Sequence, residues 1–416
     1  MYPYQYPVTK AYEMMSCFEG LIAFYRVTRE EWYKTAVINF ANKILESDFT
    51  VIGSSGCTHE LFDHSTVRQA NTTNEKIQQE TCVTVTLMKL MYQLTLLTGD
   101  PKYIDAFEIS LYNAYLGAFN TKNVIEPMMT KEHPDWIAEA LPFDSYSPLT
   151  AGTRGNGIGG LRLMRDRHYY GCCACIGAAG LGLVPKMQLL TMADGFAVGL
   201  YINGKVGSKT PKKQTITFDF ETEYPKHGKV NIRLGIPTPE TFKTKLRNPS
   251  WSKTTSLSVN GEPLNVNHGF IEIEKEWKNG DIISLELDMR TQAINPIPYG
   301  SQILMNKIIW EKDITVPCFD REDPLAKNHI ALRRGPVMLA QDAGLGYSLS
   351  QAVSVSVGAD GYVDVLLPEK KIAPFDTIVE VVIPLSDGSY MPVVDYASAG
   401  KLWTKESEMA VWMLIR

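Results

Sequence analysis

The feature that most limits what this chain can fold into is a change of hydrophobic period near residue 190. Before that point apolar residues recur at i, i+3, i+4 and i+7, as on the buried face of a helix. "AYEMMSCFEGLIAFYRVT" and "EEWYKTAVINFANKILES" carry this spacing. "QQETCVTVTLMKLMYQLTLLTGD" predicts a third helix that stops at Gly99, with Pro101 beyond it. "PKYIDAFEISLYNAYLGAFN" predicts a fourth, opened by Pro101 in its first turn. The turn "LTGDPKY" echoes the earlier "RVTREEWY", which points to stacked helical hairpins, as in an α/α barrel or solenoid.

After residue 190 the period falls to two. "QTITFDFETEY", "KVNIRLGIP", "TSLSVNGEPL", "GFIEIEKEW", "DIISLELDM" and "VDVLLPE" alternate apolar and polar residues between turn signals such as "VNGE" and "KNGD". A spacing of roughly 8–12 residues between strands predicts antiparallel sandwiches. "INPIPYGSQ" interrupts the strand pattern near residue 293. The expected organisation is a helical domain over residues 1–189, a β-sandwich over 190–292 and a second β-sandwich-like domain over 293–416.

Composition narrows the possibilities further. At 416 residues the chain is longer than one growing core supports, so two or three domains are expected. Charged residues make up 21 %, and the mean hydropathy of −0.12 is that of an ordinary soluble protein. A net charge of −5 offers no basic face for nucleic acid. The longest apolar stretches, such as "IGAAGLGLV", fall short of the about 20 residues that span a membrane, so no membrane partner is expected. The N-terminus lacks the basic start and apolar core of a signal peptide, which favours the cytoplasm over the periplasm. Seven cysteines are an odd number and do not form a disulfide framework, so free or metal-bound thiols are expected.

Two stretches concentrate chemistry. "HYYGCCACIG" packs Cys172, Cys173 and Cys175 into four positions, although neighbouring cysteines seldom bridge each other. "QQETCVT" sets Glu80 two residues before Cys82. Glu80, Cys82, Cys172 and Cys173 together offer one carboxylate and three sulfurs, enough for a tetrahedral zinc site. Taken singly, a cysteine can also be a small buried hydrophobe, a reading that suits Cys82 better than the adjacent pair. "GSSGCTHELFDHS" gathers Cys57, His59, Glu60, Asp63 and His64. It is either an acid/base loop or a solvated one in which Glu60 caps the next helix. "DSYSPL", with Tyr146, and "RHYYG", with His168, Tyr169 and Tyr170, add aromatic groups of the kind that line sugar sites or fill cores.

"SGCTHELF", "QETCVTVTLMKLMYQLTLLTGDPKY", "SLYNAYLGAFN", "YGCCACIGAAGLGLVPK", "LRNPSWSKTTSLSVNGEPL" and "ALRRGPVMLAQD" occur in that order. In combination, from about residue 10 to at least residue 342, they resemble the β-L-arabinofuranosidases of glycoside hydrolase family 127 and its close relative family 146. The resemblance implies an (α/α)6 barrel followed by two antiparallel β-sandwich domains. It implies a zinc cofactor (Zn2+) held by Glu80, Cys82, Cys172 and Cys173, with Cys172 the glycosidic nucleophile. Glu60 matches the general acid/base, Tyr146 matches a site tyrosine, and His59 and His168 join it as candidate substrate contacts. Cys175 has no part in that scheme and is assigned to packing. The segment "ACIGAAG" departs from the polar or proline-containing turn usual there, being small and apolar.

A six-hairpin barrel needs twelve helices, and the sequence shows four to six. The resemblance begins with the family's later helices. The expected state is therefore a fragment, or part of a barrel completed by a second copy or by a missing N-terminal segment, and much less active by itself. The implied activity is retaining hydrolysis of a β-L-arabinofuranoside or related plant-glycan pentose. The alternatives are a non-catalytic carbohydrate-binding remnant of the same fold and a zinc hydrolase that uses metal-bound water.

Overall fold

The structure, a computed structural model, describes residues 1–7, 9–57, 60–71, 78–119, 136–137, 146–149, 151–152, 154, 162–164, 169–170, 172–299, 303–309, 314–320, 323–401 and 408–415. A helical N-terminal region is followed by largely antiparallel sheets, with one parallel pair between Glu240–Asn248 and Gly195–Val198. The helices are α1 (Ala11–Thr28), α2 (Glu31–Ser47), α3 (Ser65–Arg68), α4 (Thr81–Thr98), α5 (Lys102–Ser110), α6 (Cys172–Leu181) and α7 (Val184–Gln188). No helix among the described residues is long and apolar enough to cross a membrane.

Helix α4 stops where Gly99 takes a left-handed φ of 69°, as its sequence predicts. Its start differs from the expectation. Gln78–Glu80 is a strand paired antiparallel with Tyr146–Pro148, and Glu80 caps α4 in an extended conformation. The helical period of "QQETCVT" continues through these residues, but a partner strand from far along the chain overrides it. Helix α5 runs on into a π turn, Leu111–Tyr115, whose Ala114 N–H donates to the Ile52 carbonyl at 3.0 Å.

Beyond residue 188 the alternation becomes sheet. Six strands lie in the order Glu262–Pro263, Ser256–Val259, Ile282–Glu286, Lys229–Gly235, Thr215–Thr222 and Gly204–Lys209. Four more lie in the order Gly269–Trp277, Glu240–Asn248, Gly195–Val198 and Leu189–Met192. Phe196 of the second sheet meets Phe218 of the first, ring centroids 5.1 Å apart, so their apolar faces share a core. "VNGE" makes the expected tight hairpin, with Asn260 at φ 52° and Gly261 at 86°. A third, nine-stranded sheet holds Thr291–Ile294, His329–Arg334 and Val337–Asp342 at its centre. "VDVLLPE" is not the strand its alternation predicts. Only Tyr362–Val363 pairs there as a strand; beyond it the single bridge Leu366 to Val382 stands in place of a ladder, and Leu366 and Leu367 are exposed.

One buried ionic cluster ties helix to sheet. Arg247, on the strand Glu240–Asn248, is fully buried. Its Nη1 lies 2.6 Å from Asp105 Oδ1, and its Nη2 lies 2.5 Å from Glu108 Oε1. Its Nε donates to the Gly199 carbonyl at 2.6 Å. Asp105 also accepts the Ser250 N–H, and Glu108 accepts Tyr224 Oη–H and Trp251 Nε1–H. Every polar atom of the three ionic side chains that faces another is thus paired, the condition under which such a cluster is tolerated. Further links join the end of this helix to the third sheet. Asn113 donates to the Pro336 carbonyl and accepts the Met338 N–H, while Lys401 and Arg154 donate to the Gly117 carbonyl.

The described parts of the segment between α2 and α4 are tied down by buried polar contacts. Within the "GSSGCTHE" stretch Ser54, Ser55 and Cys57 are buried and not solvated, while Thr58 and His59 lie outside the described residues. Gly53 has φ 79°, and a Cβ there would meet Ser110 N at 2.4 Å. Thr84 Oγ1 donates to Ser54 Oγ at 2.8 Å, Gln79 Nε2 to Cys57 Sγ at 3.7 Å. Asp48 anchors the next turn, accepting the N–H groups of Asp63 and Ser65 at 2.9 and 3.2 Å. Asp63 pairs with Arg68 at 2.7 Å. Burial pushes the Asp48 carboxyl up to about 7. The hydrogen bonding accommodates a protonated Asp48. Ser47 Oγ lies 2.6 Å from its Oδ2 and 2.8 Å from the Lys43 carbonyl, and one hydroxyl hydrogen cannot serve both.

Two outcomes follow from these clusters. Arg247→Met, which leaves Asp105 and Glu108 buried without their cation, is expected to cost on the order of 3–5 kcal/mol in urea denaturation, and an unchanged midpoint contradicts the clamp. Asp48 is held above its unfolded value of 3.8, so the folded state keeps an extra proton between about pH 4 and about pH 7. That contribution to stability is lost as pH rises through the window. Asp48→Asn removes the titration, so the variant gains on the parent by about 1–3 kcal/mol between pH 5 and pH 8. A constant difference across that range refutes the assignment.

Candidate active site

The structure brings Glu80, Cys82, Cys172 and Cys173 together, with one potential ligand atom from each lying within 4.8 Å of all the others. Cys82 sits in the first turn of α4, and Cys172 and Cys173 open α6. The sulfurs therefore lie at the positive ends of two helix dipoles, where thiolate charge is favoured. Cys82 Sγ and Cys173 Sγ are 3.2 Å apart, and Cys173 Sγ lies 3.6 Å from Glu80 Oε1. Neither cysteine is merely a buried hydrophobe.

Local packing explains how α6 reaches this place. A Cβ at Gly180 would meet the Tyr115 ring at 2.6 Å, and Tyr115 Oη–H donates to the Gly177 carbonyl at 2.6 Å. The small residues of "ACIGAAG" let the helix lie directly on the π turn after α5. Cys175 does not pack inward, contrary to the expectation for it. It is exposed on α6, one turn beyond Cys172 on a face that carries Ala178, Ala179 and Leu181 into solvent.

Electrostatics of the cluster point one way. The Cys173 thiol beside Cys172, and burial, push the Cys172 thiol well above its usual range. Contact with Cys173 favours the Cys82 thiolate, but burial and the Glu80 charge push that thiol up to about 11. Burial, and then the charge of Glu60, pushes Glu80 up to about 7. Four groups that lose protons only reluctantly are gathered at one point. A divalent cation supplies the charge that reverses this balance, and three sulfurs with one carboxylate match zinc's preferred donors. The residues present fit such an ion.

Glu60 stands beside the cluster. Its φ is 62°, an uncommon conformation for a side-chain-bearing residue. It does not cap the following helix. Tyr146 Oη–H donates to Glu60 Oε1, and Lys10 Nζ lies 2.5 Å from Oε2. Tyr146 is itself paired with Glu80 across the short sheet, so one strand pair sets the distance between the acid and the cluster. Burial and the Glu60 contact raise the Tyr146 hydroxyl, keeping it a donor. His64 is drawn away from this point, stacked on Tyr4 with ring centroids 4.5 Å apart. His59 and His168 lie outside the described residues. Lys10 was not singled out by the sequence. Its signal, a lysine just before a helix, is common, and only the fold puts it against Glu60.

Comparison with known proteins places the chain among relatives by family and fold. The family model for the β-L-arabinofuranosidase GH127 catalytic domain matches residues 5–130, and that for the GH127 middle domain matches residues 195–289. No curated protein matches the chain. Among solved structures, a GH127 β-arabinofuranosidase superposes with a TM-score of 0.67 at 18 % identity, over 99 % of this chain and 60 % of its own. A structure described as a glycoside hydrolase gives 0.67 at 18 %, over 98 % of this chain and 66 % of its own. A GH127 β-L-arabinofuranosidase from Geobacillus stearothermophilus T6 gives 0.62 at 16 %, over 100 % of this chain and 62 % of its own. At these identities the likeness shows the fold, and the chain spans about 60 % of the length of the first of these structures. The two domain matches, in chain order and joined to a shared fold, make this chain a member of glycoside hydrolase family 127.

Proposed function

We propose that this chain carries the catalytic centre of a retaining glycoside hydrolase acting on β-L-arabinofuranosides or a related plant-glycan pentoside. The observation that carries the reading is a difference within the cluster. Cys82, Cys173 and Glu80 are buried, whereas Cys172 is exposed and so open to a sugar. In this reading Glu80, Cys82, Cys172 and Cys173 hold zinc, whose charge keeps the sulfurs as thiolates when it is bound.

The remaining roles fall to side chains. Cys172 Sγ bonds to the anomeric carbon as the glycosidic oxygen departs. Glu60 gives that oxygen its proton, then takes a proton from the water that displaces the sugar from Cys172 Sγ. Two displacements at one carbon restore its configuration. Tyr146 orients Glu60, and Tyr146, His59 and His168 are the proposed substrate contacts. By chain position the parts are residues 1–189 from an (α/α)6 barrel, a β-sandwich over 190–292 and a second over 293–416.

Large apolar side chains on α1, α2 and α6 lie open to solvent, among them Val27 at 84 % exposure, Phe24, Trp32 and Leu181. They fit helices that elsewhere in the family's length close the barrel. Enclosure of a furanose commonly contributes several kcal/mol to catalysis, so the 416-residue chain by itself is expected to turn over slowly.

An arabinofuranose-derived epoxide, followed by peptide mapping of the reduced, zinc-loaded chain, tests the nucleophile. The label is expected on Cys172 and absent in Cys172→Ser; a label confined to Cys82 or Cys173 rejects the assignment. Glu60→Gln is expected to slow aryl substrates with poor leaving groups by roughly 10²-fold or more and good ones far less. Equal losses across the series remove Glu60 from the acid role.

A further inference from the structure

We propose that Lys10 is a positioning residue of this site, holding Glu60 as an oriented carboxylate and releasing it before Glu60 can carry a proton. The inference rests on the glycosidase reading for what Glu60 does, while the contact itself is geometric. Lys10 Nζ lies 2.5 Å from Glu60 Oε2, with the two side chains 24 % and 23 % exposed. Tyr146 Oη–H donates to the other oxygen, Oε1. Both oxygens therefore face donors.

The two donors differ in what they tolerate. A tyrosine hydroxyl can turn and accept a hydrogen bond from a carboxylic acid, but an ammonium has three N–H groups and no lone pair. The ionised Glu60 fits both neighbours. A proton on Oε2 points at Lys10 and has no acceptor there. Among the described residues, Glu80 is a further charged group whose field couples to Glu60, and it is an acid.

The backbone shows that this is not a loose surface pair, the kind that contributes little. Lys10 bridges Leu61 antiparallel, the Ala11 N–H donates to the Glu60 carbonyl at 2.9 Å, and the Phe62 N–H donates to the Thr9 carbonyl at 2.7 Å. Lys10 is also the residue that caps α1. The segment around residues 9–11 thus fixes Glu60 at main chain and side chain together, in the left-handed conformation the turn requires.

A consequence for turnover follows. The base step, in which Glu60 accepts a proton from water, starts from the state Lys10 favours. The acid step requires the leaving oxygen to take the place of Lys10 Nζ, whose side chain is part-exposed. Lys10 therefore biases the site toward glycosides whose aglycone departs without much help.

The test compares the zinc-loaded full chain with Lys10→Met and Lys10→Arg on aryl β-L-arabinofuranosides of graded leaving-group acidity, with melting curves to verify folding. Lys10→Met is expected to raise the rate on the poorest leaving group relative to the best by on the order of tenfold, through kcat with little change in KM. Lys10→Arg, which still donates, keeps the parent pattern. A uniform change across the series, or an arginine variant that behaves like the methionine one, overturns the proposal. A second readout is independent of turnover. The infrared difference between parent and Glu60→Gln, both carrying 13C-carboxyl glutamate, isolates the Glu60 band. That band is expected to shift in Lys10→Met and stay in Lys10→Arg; a band that ignores Lys10→Met refutes the contact. If the band shifts while Glu60→Gln is indifferent to leaving group, the positioning contact stands and the acid role of Glu60 is what fails.

Discussion

Three sulfurs and a carboxylate within 4.8 Å of one another can become four anions only if a cation joins them, and the scaffold around the site serves to impose that crowding. Cys82 comes from the start of α4, and the Cys172–Cys173 pair from the start of α6, 91 residues later for the Cys82–Cys173 contact. Tyr115 and the small residues of α6 fix how closely that helix approaches. The pairing of Gln78–Glu80 with Tyr146–Pro148 then places Glu80 against the sulfurs and Tyr146 against Glu60. On the proposed reading, donors that repel when bare and bind when compensated would couple metal affinity to the order of the helical region.

That region is braced from the β side. Arg247 closes a cluster in which one guanidinium bridges Asp105 and Glu108, and Asn113 joins the π turn to the third sheet. Helix α5 and its π turn are therefore held at two points while their other face carries Tyr115 beneath α6. The sheets steady the helix on which the cysteine pair rests, although no strand of the six- or four-stranded sheet supplies a ligand.

Much of this was legible in the sequence, for reasons specific to each element. The bounds of α1 and the end of α4 follow from apolar spacing and Gly99, which are local signals. The candidate cluster of Glu80, Cys82, Cys172 and Cys173 is suggested by residue type and by the family resemblance together, and the fold brings the four side chains to one point. Other features depend on partners far along the chain. The strand at Gln78–Glu80 exists because Tyr146–Pro148 is there to pair with it, against a helical period. Lys10 and Arg247 look like ordinary cations until the fold sets them against Glu60 and Glu108. Cys175 carries the same composition as its neighbours, and only the placing of α6 shows that it faces outward.

The central claim is that the four clustered side chains form one zinc centre. Zinc K-edge X-ray absorption on the reduced, purified chain tests it most directly. The account predicts one bound zinc with three sulfur neighbours at about 2.3 Å and one oxygen at about 2.0–2.2 Å, and loss of one sulfur from that shell in Cys82→Ser. A chain that holds no zinc, or a shell of nitrogen and oxygen unchanged by that substitution, contradicts it.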